Sequence, residues 1–233
     1  MTELKELLTN PLKGLQQDDK VQVPEIQDRF EYLAKRLLEG YGVKCGKETF
    51  RFAEIEFYYY KKVESIESKD NWDKEWNKET YPRNKRATEL FYHYSGIDIC
   101  FECNYQEIQK DDEYGEFGGI LIRSLFHGNE ILAGPLFCAN AMLNACNNEI
   151  PIVVKLEQSE KVEYDKEDIQ KRRRYGIQSD KDEKTMPFEL CYYVASNKGE
   201  KINWERVSKR ISWDKKCQKF EYVTRNYKKL RGL

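Results

Sequence analysis

The stretch RFAEIEFYYY, residues 51–60, sets two carboxylates among aromatic and apolar side chains. In a strand, successive side chains alternate between faces. That rule puts Glu54, Glu56, Tyr58 and Tyr60 on one face with Phe52, and Ala53, Ile55, Phe57 and Tyr59 on the other. A buried acid is costly unless it is paired or put to use. The stretch is therefore either a salt-bridged core strand or a site in which a carboxylate takes up a proton. A second spacing with chemical meaning is CFEC, where Cys100 and Cys103 stand as metal ligands or a redox pair do. It lies in an alternating apolar run, no second CxxC follows, and His93 and His127 are the only histidines. Core thiols are the simpler reading, and neither a metal nor a cofactor is expected.

The chain that must position these residues has 233 of them, enough for one domain with a substantial core. Its 16 Tyr, 11 Phe and 4 Trp need burial, which argues against disorder of the body. The start, MTELKELLTNPLKGL, has no apolar core of signal-peptide length, and no stretch approaches a membrane span. A cytoplasmic, monomeric protein without membrane contact is expected. An odd count of 7 cysteines fits reduced thiols. The net charge of −1 is unevenly spread: residues 201–233 carry 11 Lys and Arg against 3 Asp and Glu, a net of +8, which leaves −9 on the rest. A basic end interleaved with Trp204, Trp213, Phe220, Tyr222 and Tyr227 suits a nucleic-acid contact. The simpler reading is a helical pair whose Trp204, Val207 and Ile211 face the core, and the two can hold together.

Hydrophobic periodicity predicts a helix in VPEIQDRFEYLAKRLLEGYG, with Pro24 in its first turn, Ile26, Phe30, Leu33 and Leu37 as its stripe and Gly40 at its end. Strands are expected over 49–60, 89–94, 97–103, 118–126 and 186–196. AGPLFCANAMLNAC reads as a buried helix, and DKEDIQKRRRYGI as a short polar helix capped by Asp165. Residues 61–88 and 104–117 read as loops. The organisation is an N-terminal extension (1–24), a single α+β domain (25–200) with a curved, mainly antiparallel sheet and flanking helices, and a basic, helical C-terminal segment (201–233).

The order of motifs adds a further indication. AKRLLEGYG, RFAEIEFYY, YPRN, FYHYSGIDIC, GGILIRSLF, AGPLFCANAML, RRYGI and MPFELCYYVAS follow one another over roughly residues 25–197. In type and order they resemble the methylpurine-DNA glycosylase (alkyladenine DNA glycosylase) family. That family hydrolyses the N-glycosidic bond of damaged purines flipped out of DNA. The resemblance implies Glu56 as the general base and Arg123 as the residue that helps hold the attacking water. It implies Tyr58 and Tyr92 as stacking partners of the base, with the main-chain carbonyl of Tyr175 completing the water site. Arg83 of YPRN and Ser95 fall at its DNA contacts, and Glu102 at the pocket wall. Alkylated purines are electron-poor, often cationic, and are attracted to aromatic faces. A carboxylate can both deprotonate water and stabilise an oxocarbenium-like sugar.

The chain departs from the family pattern in three places. The pocket histidine has no counterpart in residues 61–70, the wedge tyrosine is replaced by Ser95, and the pocket-wall asparagine by Glu102. A glycosylase without a wedge would favour bases already loose, in single strands, mismatches or ends. For Glu54 the expectation is a structural ion pair. Two other readings remain open: a non-catalytic module recognising a nucleobase or nucleic-acid end, and a purely structural protein in which Glu56 is a satisfied core acid.

Overall fold

In the computed structural model, the described residues are 2–9, 23–61, 86–102, 116–146, 154–172, 190–197, 199–205 and 207. They form three helices: α1 (Thr2–Thr9), α2 (Val23–Gly40) and α3 (Pro135–Ala145). The strands are β1 (Tyr41–Cys45), β2 (Glu48–Lys61), β3 (Leu90–His93), β4 (Gly96–Cys100), β5 (Glu116–His127), β6 (Glu130–Ala133), β7 (Val154–Gln158), β8 (Ile169–Arg172), β9 (Cys191–Val194), β10 (Ser196–Asn197) and β11 (Glu200–Lys201). The main sheet runs β3-β4-β5-β2-β1-β7, with β6 added to β5, β9 to β2 and β8 to β9. Every pairing among these strands is antiparallel. The protein is thus α+β, a curled antiparallel sheet with few helices. Among the described residues no helix is long and apolar enough to cross a membrane.

β2 is the central strand. One edge pairs with β5 from Arg51 to Lys61; the other pairs first with β1 and then, at Glu54 to Glu56, with β9. Its apolar face meets α2, whose Phe30, Leu33, Ala34, Leu37 and Leu38 are buried at helical spacing. Phe57 stacks on Phe30 with centroids 4.6 Å apart and meets Tyr192 edge-on at 5.5 Å. The stretch expected as an extension contributes α1 to this core: Leu4 and Leu8, one turn apart, are fully buried.

The strict alternation expected for residues 51–60 breaks once. The register with β5 shifts on either side of Glu54, which pairs with Ser124, so that the ladder skips Ala53 on one strand and Arg123 on the other. Phe52 and Ala53 consequently both join the core, with Ile55 and Phe57. The expectation that Phe52 shares the face of Glu54 is corrected by this bulge. On β5 the consecutive Arg123 and Ser124 both reach the acid side instead, contacting Glu54.

The polar helix expected to begin at Asp165 is not formed: Ile169–Arg172 is a strand on β9. Its local sequence offers no apolar stripe, and pairing with the sheet outweighs helix propensity. β1, β6, β7, β8 and β11 are strands beyond those expected from the sequence. The final strand is shorter than expected, with residues 186–189 outside the described residues, as are Cys103, Ile211 and nearly all of 61–88 and 104–117.

Gly118 faces the backbone of β2. A Cβ there would lie 2.3 Å from the Tyr58 carbonyl oxygen and 2.7 Å from Phe101 Cδ2. A main-chain oxygen cannot move aside without parting β2 from β5. Gly118→Ala is expected to destabilise the fold by about 3 kcal/mol, the upper end for overpacking. Chemical denaturation with an unchanged m-value is the check.

Candidate active site

The opposite face of the sheet carries a charged cluster. Directly paired residues project to the same side of a sheet. Glu56 of β2 pairs with Leu121 of β5, and Leu121 with Asp98 of β4. On the other edge Glu56 pairs with Cys191, and Cys191 with Arg172. A row of Arg172, Cys191, Glu56, Leu121 and Asp98 thus crosses five strands.

Glu56 is 0% exposed and both its oxygens are occupied. The Tyr58 hydroxyl donates a short hydrogen bond to Oε1, and Arg123 Nη1 donates to Oε2 at 3.1 Å. Tyr58 follows two positions along the strand, so it projects to the same side by alternation alone. Arg123 bridges to the second acid, its Nε lying 3.5 Å from Glu54 Oε1. Glu54 also accepts from Arg172 Nη2, from Ser124 Oγ at 2.8 Å and from Cys191 Sγ at 3.2 Å. Burial lowers the pKa of Arg123, but Glu56 and then Glu54 outweigh it and the net shift is upward. Arg172 shows the same balance, with burial opposed by Glu54. Burial, reinforced by Glu54 and Glu56, pushes the Cys191 thiol well above its usual range, so it stays a donor.

Arg172 is fixed from behind. Its guanidinium lies 4.6 Å from the Tyr193 ring centroid and 5.7 Å from that of Trp204. Trp204 is anchored in turn by Nε1 donating to the Val194 carbonyl at 2.9 Å.

The structure brings Glu56, Tyr58 and Arg123 together and places Tyr92 elsewhere. Tyr92 pairs with Ile97 and packs against the apolar core, where burial pushes its phenol pKa up. It cannot stack with Tyr58 on one ligand, and that expectation is corrected. The phase of β3 decides this: Phe91 pairs with Asp98, so Phe91 and His93 take the acid side. His93 Nε2 lies 3.4 Å from Asp98 Oδ1, and His93 Nδ1 lies 2.9 Å from Ser95 Oγ. Ser95 occupies the β3–β4 turn beside Tyr94, which is 79% exposed. Glu102 Oε2 accepts from the Ala87 N–H at 2.7 Å, which braces the turn ahead of β3. Arg83 and Tyr175 lie outside the described residues.

Sequence reasoning missed Asp98, Arg172 and Cys191 as members of this face. For Asp98 a signal existed: in GIDIC, Ile97 and Ile99 alternate with Gly96, Asp98 and Cys100. A surface groove lined by Thr49, Arg51, Phe126 and Glu157 lies at the other end of β2 and includes none of these residues.

Compared with protein-family models, curated proteins and solved structures, the chain has no match.

The arrangement keeps a carboxylate out of water, with a phenol and a guanidinium fixing its orientation. Glu56 is fully covered, with Tyr58 and Arg123 bonded to its two oxygens. Glu54 is the structural acid of the pair. Glu54→Gln leaves Arg172 and Arg123 facing a neutral amide in a buried setting and should cost about 3 kcal/mol. Glu56→Gln, which keeps an acceptor for Tyr58 and Arg123, should cost less. Urea denaturation of the two variants side by side measures the difference.

Proposed function

We propose that the chain is a divergent hydrolase of the methylpurine-DNA glycosylase type, releasing a modified purine from DNA in the manner of base-excision repair in the cytoplasm. The observation that carries this reading is Glu56: a fully buried carboxylate on the central strand, held by Tyr58 and Arg123. The order of motifs along the sequence supports the same fold type and the same base. In this reading Glu56 removes a proton from water as the C1′–N bond breaks, and its charge stabilises the electron-poor sugar. Arg123 orients Glu56 through its hydrogen bond to Oε2. Tyr58 is the aromatic surface nearest the base.

A second reading, a binding module for a nucleobase or nucleic-acid end, is favoured by one observation. Tyr92 lies on the core side, so the two-tyrosine clamp is incomplete. Single-turnover release of 3-methyladenine or hypoxanthine from labelled oligonucleotides separates the two. Under the glycosylase reading Glu56→Gln lowers the rate about 100-fold or more, as loss of a general base does. Binding without release by the wild-type chain would leave the module.

DNA contact is assigned to the hairpin tip and the basic C-terminal segment. Ser95 is too small to fill the hole left by a flipped base, but the exposed Tyr94 ring stands next to it. Tyr94→Ala should slow release from a matched duplex more than from a single strand, because only the duplex needs the hole filled. Equal slowing of both, or of neither, would remove Tyr94 from that role. Replacing Lys228, Lys229 and Arg231 by Ser in the full chain should reduce the slope of log K against log salt by about 0.9 for each phosphate no longer neutralised. A titration of fluorescent DNA over a range of salt concentrations checks this.

A further inference from the structure

Near the start of β2 the sheet assembles a second set of residues. Arg51 of β2 pairs with Phe126 of β5 on one side and with Gly42 of β1 on the other, and Gly42 pairs with Glu157 of β7. Paired residues project to the same side of a sheet, so Phe126, Arg51, Gly42 and Glu157 form one row. Gly42 leaves the middle of that row bare. A Cβ there would come 2.2 Å from the Phe50 carbonyl oxygen, so a larger residue does not fit. Neighbouring strands are about 4.8 Å apart, which sets the backbones of Arg51 and Glu157 about 9.5 Å apart across the gap. The result is a surface groove of about 380 Å³ that also takes in Ser159 and Glu160. That volume lies in the range of small-molecule sites.

The two sides of the gap carry opposite charge. The Arg51 guanidinium lies 5.2 Å from the Phe126 ring centroid and also meets the Tyr164 hydroxyl. Glu157 is oriented by Thr49, whose Oγ1 donates to Oε1 at 3.3 Å. Its strand is fixed where it leaves the sheet, the Ser159 N–H donating to the Gly40 carbonyl at 3.0 Å. Arg51 and Glu157 are both partly exposed. Among the described residues neither takes part in an ion pair. A cation and an anion thus flank one groove without meeting each other.

We propose that this groove binds a free apolar α-amino acid, with its carboxylate on Arg51, its ammonium on Glu157 and its side chain against Phe126. The charges select the class. A simple anion is attracted by Arg51 but repelled by Glu157 and Glu160, and a simple cation meets the reverse. A ligand that carries both charges satisfies both sides. The span suits a short one: two charge-assisted hydrogen bonds of about 2.8 Å fill much of the gap and leave room for the few bonds between an α-ammonium and its carboxylate. Arginine suits the carboxylate end, because its planar fork matches two oxygens at once. The groove shares no lining residue with the Glu56 cluster, and the proposal stands apart from the glycosylase reading.

The test is isothermal titration calorimetry of the full chain with L-leucine and L-phenylalanine beside two blocked probes. N-acetyl-L-leucine lacks the ammonium, and L-leucinamide lacks the carboxylate. Leucine is expected to bind about tenfold or more tighter than either blocked probe, the weight of one hydrogen bond to a charged group. Arg51→Gln should erase the preference for leucine over leucinamide and keep the preference over N-acetyl-leucine. Glu157→Gln should do the opposite. A cooperative thermal melt shows that each variant is folded; if one is not, the free and blocked probes on the wild-type chain still decide. Blocked probes that bind as tightly as leucine overturn the assignment. So do folded variants that keep both preferences, and so does a wild-type chain that shows no saturable binding of leucine or phenylalanine at millimolar concentration.

Discussion

Two carboxylates in the middle of the central strand are the constraint around which the sheet is arranged. Removing an ion from water costs several kcal/mol even after relaxation, and it is offset only by close counter-charges and filled hydrogen-bonding positions. β2 cannot supply these itself, because its next inward residues are apolar. Arg123 comes from β5, Arg172 from β8 and the Cys191 thiol from β9. β9 therefore has to reach β2 at Glu54–Glu56, beyond the point where β1 stops pairing. The distant segments of the chain meet where the charge has to be neutralised.

The two register shifts follow from the same requirement. Regular pairing between β2 and β5 would alternate strictly on both strands and offer the acids a single neighbour from β5 at that level. Skipping Ala53 on one strand and Arg123 on the other turns two consecutive residues inward on β2 and two consecutive residues toward the acids on β5. Glu54 then gains both a guanidinium and a hydroxyl from adjacent positions. The core gains Phe52 and Ala53 together. Two compensating irregularities restore the register, so the rest of the ladder from Ile55 to Lys61 is undisturbed.

How much of this could be read in the sequence varies by residue, for physical reasons. Ile55 and Phe57 against Glu54, Glu56 and Tyr58 is legible, since alternation is a property of the strand itself. Phe52 is not, because a bulge is set by the register of the partner strand. Tyr92 fails differently. Phe91, Tyr92, His93 and Tyr94 are all aromatic, so the pattern has no phase, and the side each takes is decided by the turn and by Ile97 and Ile99 on β4. The strand in 165–177 is hidden because charge-rich residues with few apolar positions carry no strand signal; β8 exists because β9 offers it an edge. The α2 stripe, the Gly134–Pro135 helix start and the strand at 118–126 are legible because each is encoded locally.

The division of charge along the chain has a structural counterpart. The buried face sets Arg123 and Arg172 against Glu54 and Glu56. The excess positive charge lies in residues 201–233, and near their start Trp204 packs against the core. Its indole is held by the Val194 carbonyl and lies against Arg172, the cation that neutralises Glu54. The described start of the basic segment and the ion pairing of Glu54 therefore meet at Arg172. Arg172 holds Glu54, Arg123 is shared between Glu54 and Glu56, and Tyr193 and Trp204 pack on Arg172, so these groups form one contiguous set.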